Sequence, residues 1–314
     1  MSGNRSRWRR PALVVLLVLS PIALLVATQV RRDVPVEQLK PLYANGSSRF
    51  LELDGMSVHY RDEGRGTNLL LLHGTGASLH TWDAWVAALA DNFRVVRVDL
   101  PGFGLTGPAP RNDYRVDAYV AFIEDFTRRL GMETFAVAGN SLGGQIAWRY
   151  AVAHAERVTR LILVDPAGYP IARPVLLFRL ARLPGVSWLM GQLDPGPITR
   201  KTLEDAYADR TLITPALVER YVQLSLREGN RRAFVARARA EEPDRSDLIA
   251  RVRARTLIMW GREDRLIPVE HASRFSRAIA GSQLIVYDQV GHLPMEEIGT
   301  RSAADAQVFL SQEF

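Results

Sequence analysis

Val137-Ala138-Gly139-Asn140-Ser141-Leu142-Gly143-Gly144 is the stretch around which this 314-residue chain is organised. Just before it, Phe135–Ala138 is apolar and partly β-branched, which predicts a buried parallel strand. After it, Ile146, Ala147, Tyr150 and Ala151 recur at the spacing of one helix face, so Leu142–Ala153 reads as a helix. Between the two stands G-x-S-x-G. A serine on so sharp a strand-to-helix turn needs Gly139 and Gly143 beside it, because a Cβ at either place would collide with neighbouring backbone. The turn lifts the hydroxyl to the end of the sheet, and the helix N-terminus behind it favours negative charge.

Outward from this turn, strands and helices alternate. Arg49–Leu53 and Met56–Arg61 flank Asp54-Gly55, a hairpin signal. Leu69–Leu72 runs into His73-Gly74-Thr75-Gly76, and Arg94–Val98 closes on Asp99-Leu100-Pro101-Gly102-Phe103-Gly104. Thr81–Ala90 and Val116–Leu130 read as helices, and Leu161–Val164 as a strand. From 169 to 251 no strong strand signal occurs, while Leu176, Leu177, Leu180 and Leu183 share a helix face and Pro215–Glu228 makes a second helix candidate. Alternation resumes with strands at Thr256–Trp260 and Gln283–Tyr287 and helices near Val269–Ala280 and Arg301–Leu310. The expected fold is α/β, a mostly parallel eight-stranded sheet covered by helices on both faces. The expected core comprises residues 49–168 and 252–314, with a helical cap at 169–251.

The N-terminus reads differently. Pro11–Val30, PALVVLLVLSPIALLVATQV, is apolar throughout and long enough as a helix to span about 30 Å of hydrocarbon. Arg5, Arg7, Arg9 and Arg10 precede it, outweighing Arg31 and Arg32. The positive-inside rule then leaves the tip in the cytoplasm and the remainder outside it. Residues 1–32 are therefore expected to form a cytoplasmic tip and single-pass membrane anchor, and 33–48, with two prolines and Asn45-Gly46, a linker. A cleaved signal peptide is the competing reading, but no convincing small-residue cleavage site follows the run.

Composition narrows the chemistry. There are no cysteines, which excludes disulfides, a thiol nucleophile and cysteine-ligated zinc. The net charge is +6, but beyond the leading arginines the basic residues are scattered and not interleaved with aromatics, so nucleic acid is not an expected partner. No metal-ligand cluster or phosphate-cradling loop occurs, and no cofactor is implied.

A serine hydroxyl becomes a nucleophile only when a base takes its proton and a third group orients that base. Both must follow Ser141 at strand ends facing one cleft. Asp264, in Gly261-Arg262-Glu263-Asp264, follows one late strand, and His292, in Gly291-His292, follows the next. Glu263 and Asp165 compete with Asp264 for the acid. Of the six histidines, His59, His154 and His271 fall within strand or helix patterns, and His80, near a helix start, is close enough to line the cleft. His292 is the choice. The oxyanion of the transition state would meet the amides of Leu142 and Thr75. His73 reads as structural support for the loop. Phe178, Trp188 and Met190 lie outside a single helical stripe in the cap and are expected to line an apolar acyl pocket.

His73-Gly74, Asp99-x-Pro-Gly-Phe-Gly, Gly139-Asn140-Ser141-Leu142-Gly143-Gly144, Asp264 and Gly291-His292-Leu293-Pro294-Met295-Glu296 together resemble the α/β-hydrolase fold superfamily over about residues 49–314, in its capped branch. The resemblance implies a serine hydrolase rather than a dehalogenase or epoxide hydrolase, which use aspartate at the elbow. Gly-Asn-Ser-x-Gly-Gly is also similar to the meta-cleavage-product hydrolases, whereas the apolar N-terminal run and Leu293-Pro294-Met295 depart from them. The leading expectation is thus a membrane-anchored hydrolase of a small-molecule carboxylic ester. Carbon–carbon bond hydrolysis of a ring-cleavage product is the alternative, and a catalytically silent binding protein the reading from another class.

Overall fold

The computed structural model describes residues 30–171, 176–183 and 185–312. Its centre is one eight-stranded sheet: β1 (Ser48–Leu53), β2 (Met56–Gly64), β3 (Thr67–Leu72), β4 (Phe93–Val98), β5 (Phe135–Asn140), β6 (Val158–Val164), β7 (Arg255–Gly261) and β8 (Gln283–Tyr287). The spatial order is β1-β2-β4-β3-β5-β6-β7-β8. β1 and β2 pair antiparallel, as does β2 with β4, and every pairing from β4 to β8 is parallel. The hairpin turn falls on Asp54 and Gly55, both in the left-handed region that such a turn demands.

Why these strands are apolar on consecutive residues is visible in β3. Leu70 and Leu72 pack into one core with α3 (Val116–Arg129), α4 (Leu142–Ala153) and α10 (Glu270–Ala278), through Ile123, Phe126, Ile146 and Phe275. Leu69 and Leu71 point the opposite way, into a second core with α2 (Asp83–Leu89) and α12 (Gly299–Ser311), through Trp85, Leu89, Ala303 and Phe309. A strand covered on both faces must be apolar at every position.

Between β6 and β7 the described residues are helical: α5 (Leu176–Ala181), α6 (Val186–Met190), α7 (Gly196–Ala206), α8 (Pro215–Ser225) and α9 (Asn230–Arg239), with short 3₁₀ turns. They lie over the C-terminal ends of the parallel strands, where ligands bind in open α/β sheets. A short α11 (Pro294–Glu297) precedes α12.

The stretch 33–48, expected as a linker, instead contains α1 (Val36–Tyr43) and clasps the helical layer. Pro35 stands ahead of the helix, where its missing N–H costs nothing, and Pro41 enters only its last turn. Leu39 is buried against Leu105 and Leu224. Just before the helix, Val34 bridges Arg227, and the Asp33 carboxylate accepts from the Arg231 guanidinium at 2.6 Å. The expected anchor, 11–30, lies outside the described residues except for Val30. Among the described residues no helix is long and apolar enough to cross a membrane.

Candidate active site

Ser141 sits at the β5–α4 junction with φ 54° and ψ −114°. That is a strained conformation for a residue with a side chain, held here by neighbours on every side. Its N–H donates to the Val164 carbonyl at 3.1 Å, and its carbonyl accepts from Gln145 at 2.9 Å and Ala167 at 3.0 Å. The flanking glycines are obligatory. A Cβ at Gly139 would fall 2.2 Å from the Gly143 carbonyl oxygen, and one at Gly143 would fall 2.1 Å from that of Leu72.

His292 follows β8 and is 4% exposed. Its Nδ1 donates to Asp264 Oδ2 at 2.7 Å. A carboxylate can only accept, so Nδ1 carries the proton and the lone pair of Nε2 is left for a reacting hydroxyl. The other Asp264 oxygen accepts the amides of Leu266 at 2.7 Å and Ile267 at 2.9 Å, which locks the carboxylate. Ser141 and His292 line the same cavity. Glu263, the neighbouring candidate acid, is spent elsewhere: its Oε2 accepts the Val290 amide at 2.9 Å and shapes the histidine loop.

Asp165, the third candidate acid, is not the partner bonded to His292. It ends β6 fully buried, with Oδ1 accepting the Gly261 amide at 2.9 Å. Burial, and then the negative charge of Asp264, push its carboxyl well above the usual carboxylate range. Ligating atoms of Asp165, Asp264 and His292 lie within 4.8 Å of one another. As a metal site the trio is poor, since Asp264 and His292 are spent on each other and the buried Asp165 favours its neutral form.

Thr75 and Leu142, the expected amide donors, both line the cavity beside Ser141. Gly74 lets the Thr75 loop press in, since a Cβ there would meet Asn140 Oδ1 at 2.9 Å and Ser141 Cβ at 3.2 Å. His73 is structural, as expected: Nδ1 donates to the Gly74 carbonyl at 2.8 Å and Nε2 accepts the Leu100 amide at 3.0 Å. His80 does not line the cleft. It is buried under Tyr43 and Arg61, with Nδ1 3.1 Å from Ser78 Oγ, and burial holds its pKa at about 4, so the ring is neutral. His59 bonds the Asp99 carboxylate at 2.7 Å and fastens the hairpin to the following loop.

The cavity measures about 1140 Å³. Met190 lines it, together with Phe103, Trp148, Leu203 and Phe234. Trp188 does not: it is 70% exposed on the outer side of α6. A residue off the stripe of a short helix can face either cavity or solvent, and spacing does not distinguish them. The side chain of Phe178 lies outside the described residues.

Asn140 and Glu297 also hold the site together. Asn140 Nδ2 donates to the His292 carbonyl at 3.0 Å and to Val164 at 3.2 Å, tying the serine turn to the histidine loop. Glu297 accepts the amides of Gly291 at 2.7 Å and Ala208 at 2.8 Å, tying that loop to the end of α7. Both act through long-range backbone contacts, which leave no local sequence signal beyond proximity to the motif.

Comparison with known proteins agrees with this geometry. The α/β-hydrolase fold family matches residues 67–297. A 2-hydroxymuconate semialdehyde hydrolase from Pseudomonas sp. strain CF600 is 31% identical over 271 residues, covering 82% of this chain and 92% of that one. The solved structure of a meta-cleavage product hydrolase from Pseudomonas fluorescens IP01 superposes with a TM-score of 0.72 at 26% identity, covering 83% of this chain and 97% of that chain. A membrane phospholipase A, described as a bacterial virulence factor, superposes with a TM-score of 0.72 at 25% identity, covering 96% and 98% respectively.

Proposed function

The chain belongs to the α/β-hydrolase fold family, and on that premise we propose that it is a serine hydrolase working through Ser141, His292 and Asp264. The observation that carries the reading is the 2.7 Å bond from His292 Nδ1 to Asp264, with His292 and Ser141 lining one cavity. Ser141 Oγ adds to a substrate carbonyl as His292 Nε2 takes its proton, and the amides of Thr75 and Leu142 receive the oxyanion. Collapse expels a leaving group, which takes the proton from His292, and leaves an acyl-enzyme. Water, deprotonated by the same imidazole, releases the acid and restores Ser141.

Which bond breaks depends on the leaving group. The named relatives support carbon–carbon cleavage better than the ester cleavage expected from the sequence. In that reading the substrate is an oxo-dienoate from ring fission. The dienol first ketonises, taking a proton on the carbon next to the ketone. Attack by Ser141 then breaks the bond between that carbon and the ketone carbon, and its electrons pass into a dienolate whose oxygen takes the proton from His292. One water releases the ketone carbon as a carboxylic acid.

A second reading rests on a different observation. The cavity, about 1140 Å³, lies at the upper end of the roughly 300–1,000 Å³ usual for drug-sized ligands, and Trp148, Met190, Leu203 and Phe234 give it an apolar stretch. Such a volume suits a long acyl chain, and the likeness to a membrane phospholipase A extends over nearly the whole chain. In this reading an ester is cleaved, and Pro11–Val30 anchors the enzyme in a membrane with the hydrolase domain outside the cytoplasm. The support for the anchor is its apolar length and the arginines ahead of it. Turnover of a 2-hydroxy-6-oxo-dienoate and of long-chain p-nitrophenyl esters by the purified protein separates the two readings. Activity on neither overturns both.

A further inference from the structure

Asp165 is a fully buried carboxyl beside the triad to which the proposed mechanism gives no task. The chain goes to some length to keep it there. Its φ is 44°, and with Ser141 and Gln289 it is one of three left-handed non-glycine residues on the loops around the site. It is fully buried, and while Oδ1 is satisfied by the Gly261 amide, Oδ2 meets no N–H or O–H donor among the described residues. An ionised carboxylate left so would be costly. Around it stand Asp264 from the loop after β7, His292 from the loop after β8, Glu297 of α11 and Tyr287 of β8. None of the nearby carboxylates can donate to it. Asp264, meanwhile, accepts two amides at Oδ1 and only His292 at Oδ2. The orphaned oxygen and the remaining lone pair complement each other if Asp165 carries a proton.

We propose that Asp165 is a positioning residue for the base: as a neutral carboxylic acid it donates its proton to Asp264 and fixes the carboxylate that orients His292. Burial and the charge of Asp264 both favour this protonation state. The acid end of the relay is therefore a carboxyl pair sharing one proton. The shared proton tempers the negative charge facing His292. Once Asp165 ionises, two adjacent anions confront the ring, and the relay loses its orienting bond.

The inference rests on the triad reading but not on the identity of the substrate, so its test reads Ser141 directly. The rate of covalent labelling of the full-length, detergent-solubilised protein by a fluorophosphonate is followed from pH 5 to 10. Asp165→Ala is expected to slow labelling at neutral pH by about tenfold and to move the acidic rise of the profile upward. Asp165→Asn, whose amide oxygen accepts from Gly261 while its NH₂ donates to Asp264, recovers most of that rate. It also lacks the alkaline fall that the native protein shows as Asp165 ionises. A purely structural Asp165 predicts native pH midpoints in every folded variant, and that result overturns the proposal. So does an Asn variant as slow as the Ala variant. If the Ala variant does not fold, the alkaline limb of the Asn variant decides alone. Absence of labelling in the native protein overturns the triad reading instead.

Discussion

The His292 amide donates to the Ala206 carbonyl, the last residue of α7, at 2.6 Å. The base is thus fastened by its own backbone to the helical layer over the sheet, as well as by its ring to Asp264. Gly291 makes the approach possible, because a Cβ there would lie 2.1 Å from the same Ala206 oxygen. Glu297 closes the arrangement by accepting from both Gly291 and Ala208.

Gly291→Ala should therefore push α7 off the histidine loop. Overpacking of this kind costs about 1–3 kcal/mol of stability. Displacing the imidazole by about 1 Å should also lower kcat on the order of 100-fold. Thermal denaturation together with kcat measures both effects. A variant with lowered Tm and native kcat would show that the α7 contact supports the fold but not the base.

Asp264→Asn should cost far more activity than Asp165→Asn. Asparagine at 264 keeps the shape but cannot support the imidazolium, and losses of about 10⁴-fold in kcat follow such a change elsewhere. Comparable damage at the two positions, or greater damage at 165, would move the acid to the end of β6.

Stability should carry the mark of Asp165 as well. The folded protein keeps on this carboxyl a proton that the unfolded chain releases near pH 3.9. The stability it contributes is fully present below that pH and is lost as pH rises through the raised folded-state value. Asp165→Asn cannot ionise and escapes the loss. Its stability advantage over the native protein, followed through Tm, should grow as pH rises above about 4, at up to about 1.4 kcal/mol per pH unit. An offset that does not vary with pH would contradict a neutral Asp165.

The sheet was readable because its signals are local. Leu69–Leu72 and Phe135–Ala138 are apolar on consecutive residues, and Asp54-Gly55 marks a hairpin by itself. The order of Ser141, Asp264 and His292 along the chain was equally plain, since each follows a strand. What stayed hidden depends on distant partners. The helix at Val36–Tyr43 was masked by two prolines that fall where a helix tolerates them. Met190 and Trp188 look alike in sequence, yet one reaches the cavity and the other the solvent. Asp165 and Asp264 both end strands, and only the fold decides that His292 bonds the second.

The cavity predicts chain-length selectivity for any ester substrate. Each buried methylene is worth about 0.8 kcal/mol, so two more should raise kcat/KM roughly tenfold where the pocket accepts them. Specificity that declines steadily from acetate upward would mean that the apolar lining around Met190 and Phe234 does not hold an acyl chain.

Ser141 is the proposed nucleophile. Its most direct test is kcat of Ser141→Ala on whichever substrate the native protein turns over best, with folding verified by an unchanged Tm. A fall of at least about 10³-fold is the predicted result, because losing the nucleophile leaves only binding and the oxyanion donors. A folded Ser141→Ala protein that retains more than a few per cent of native activity would contradict the account.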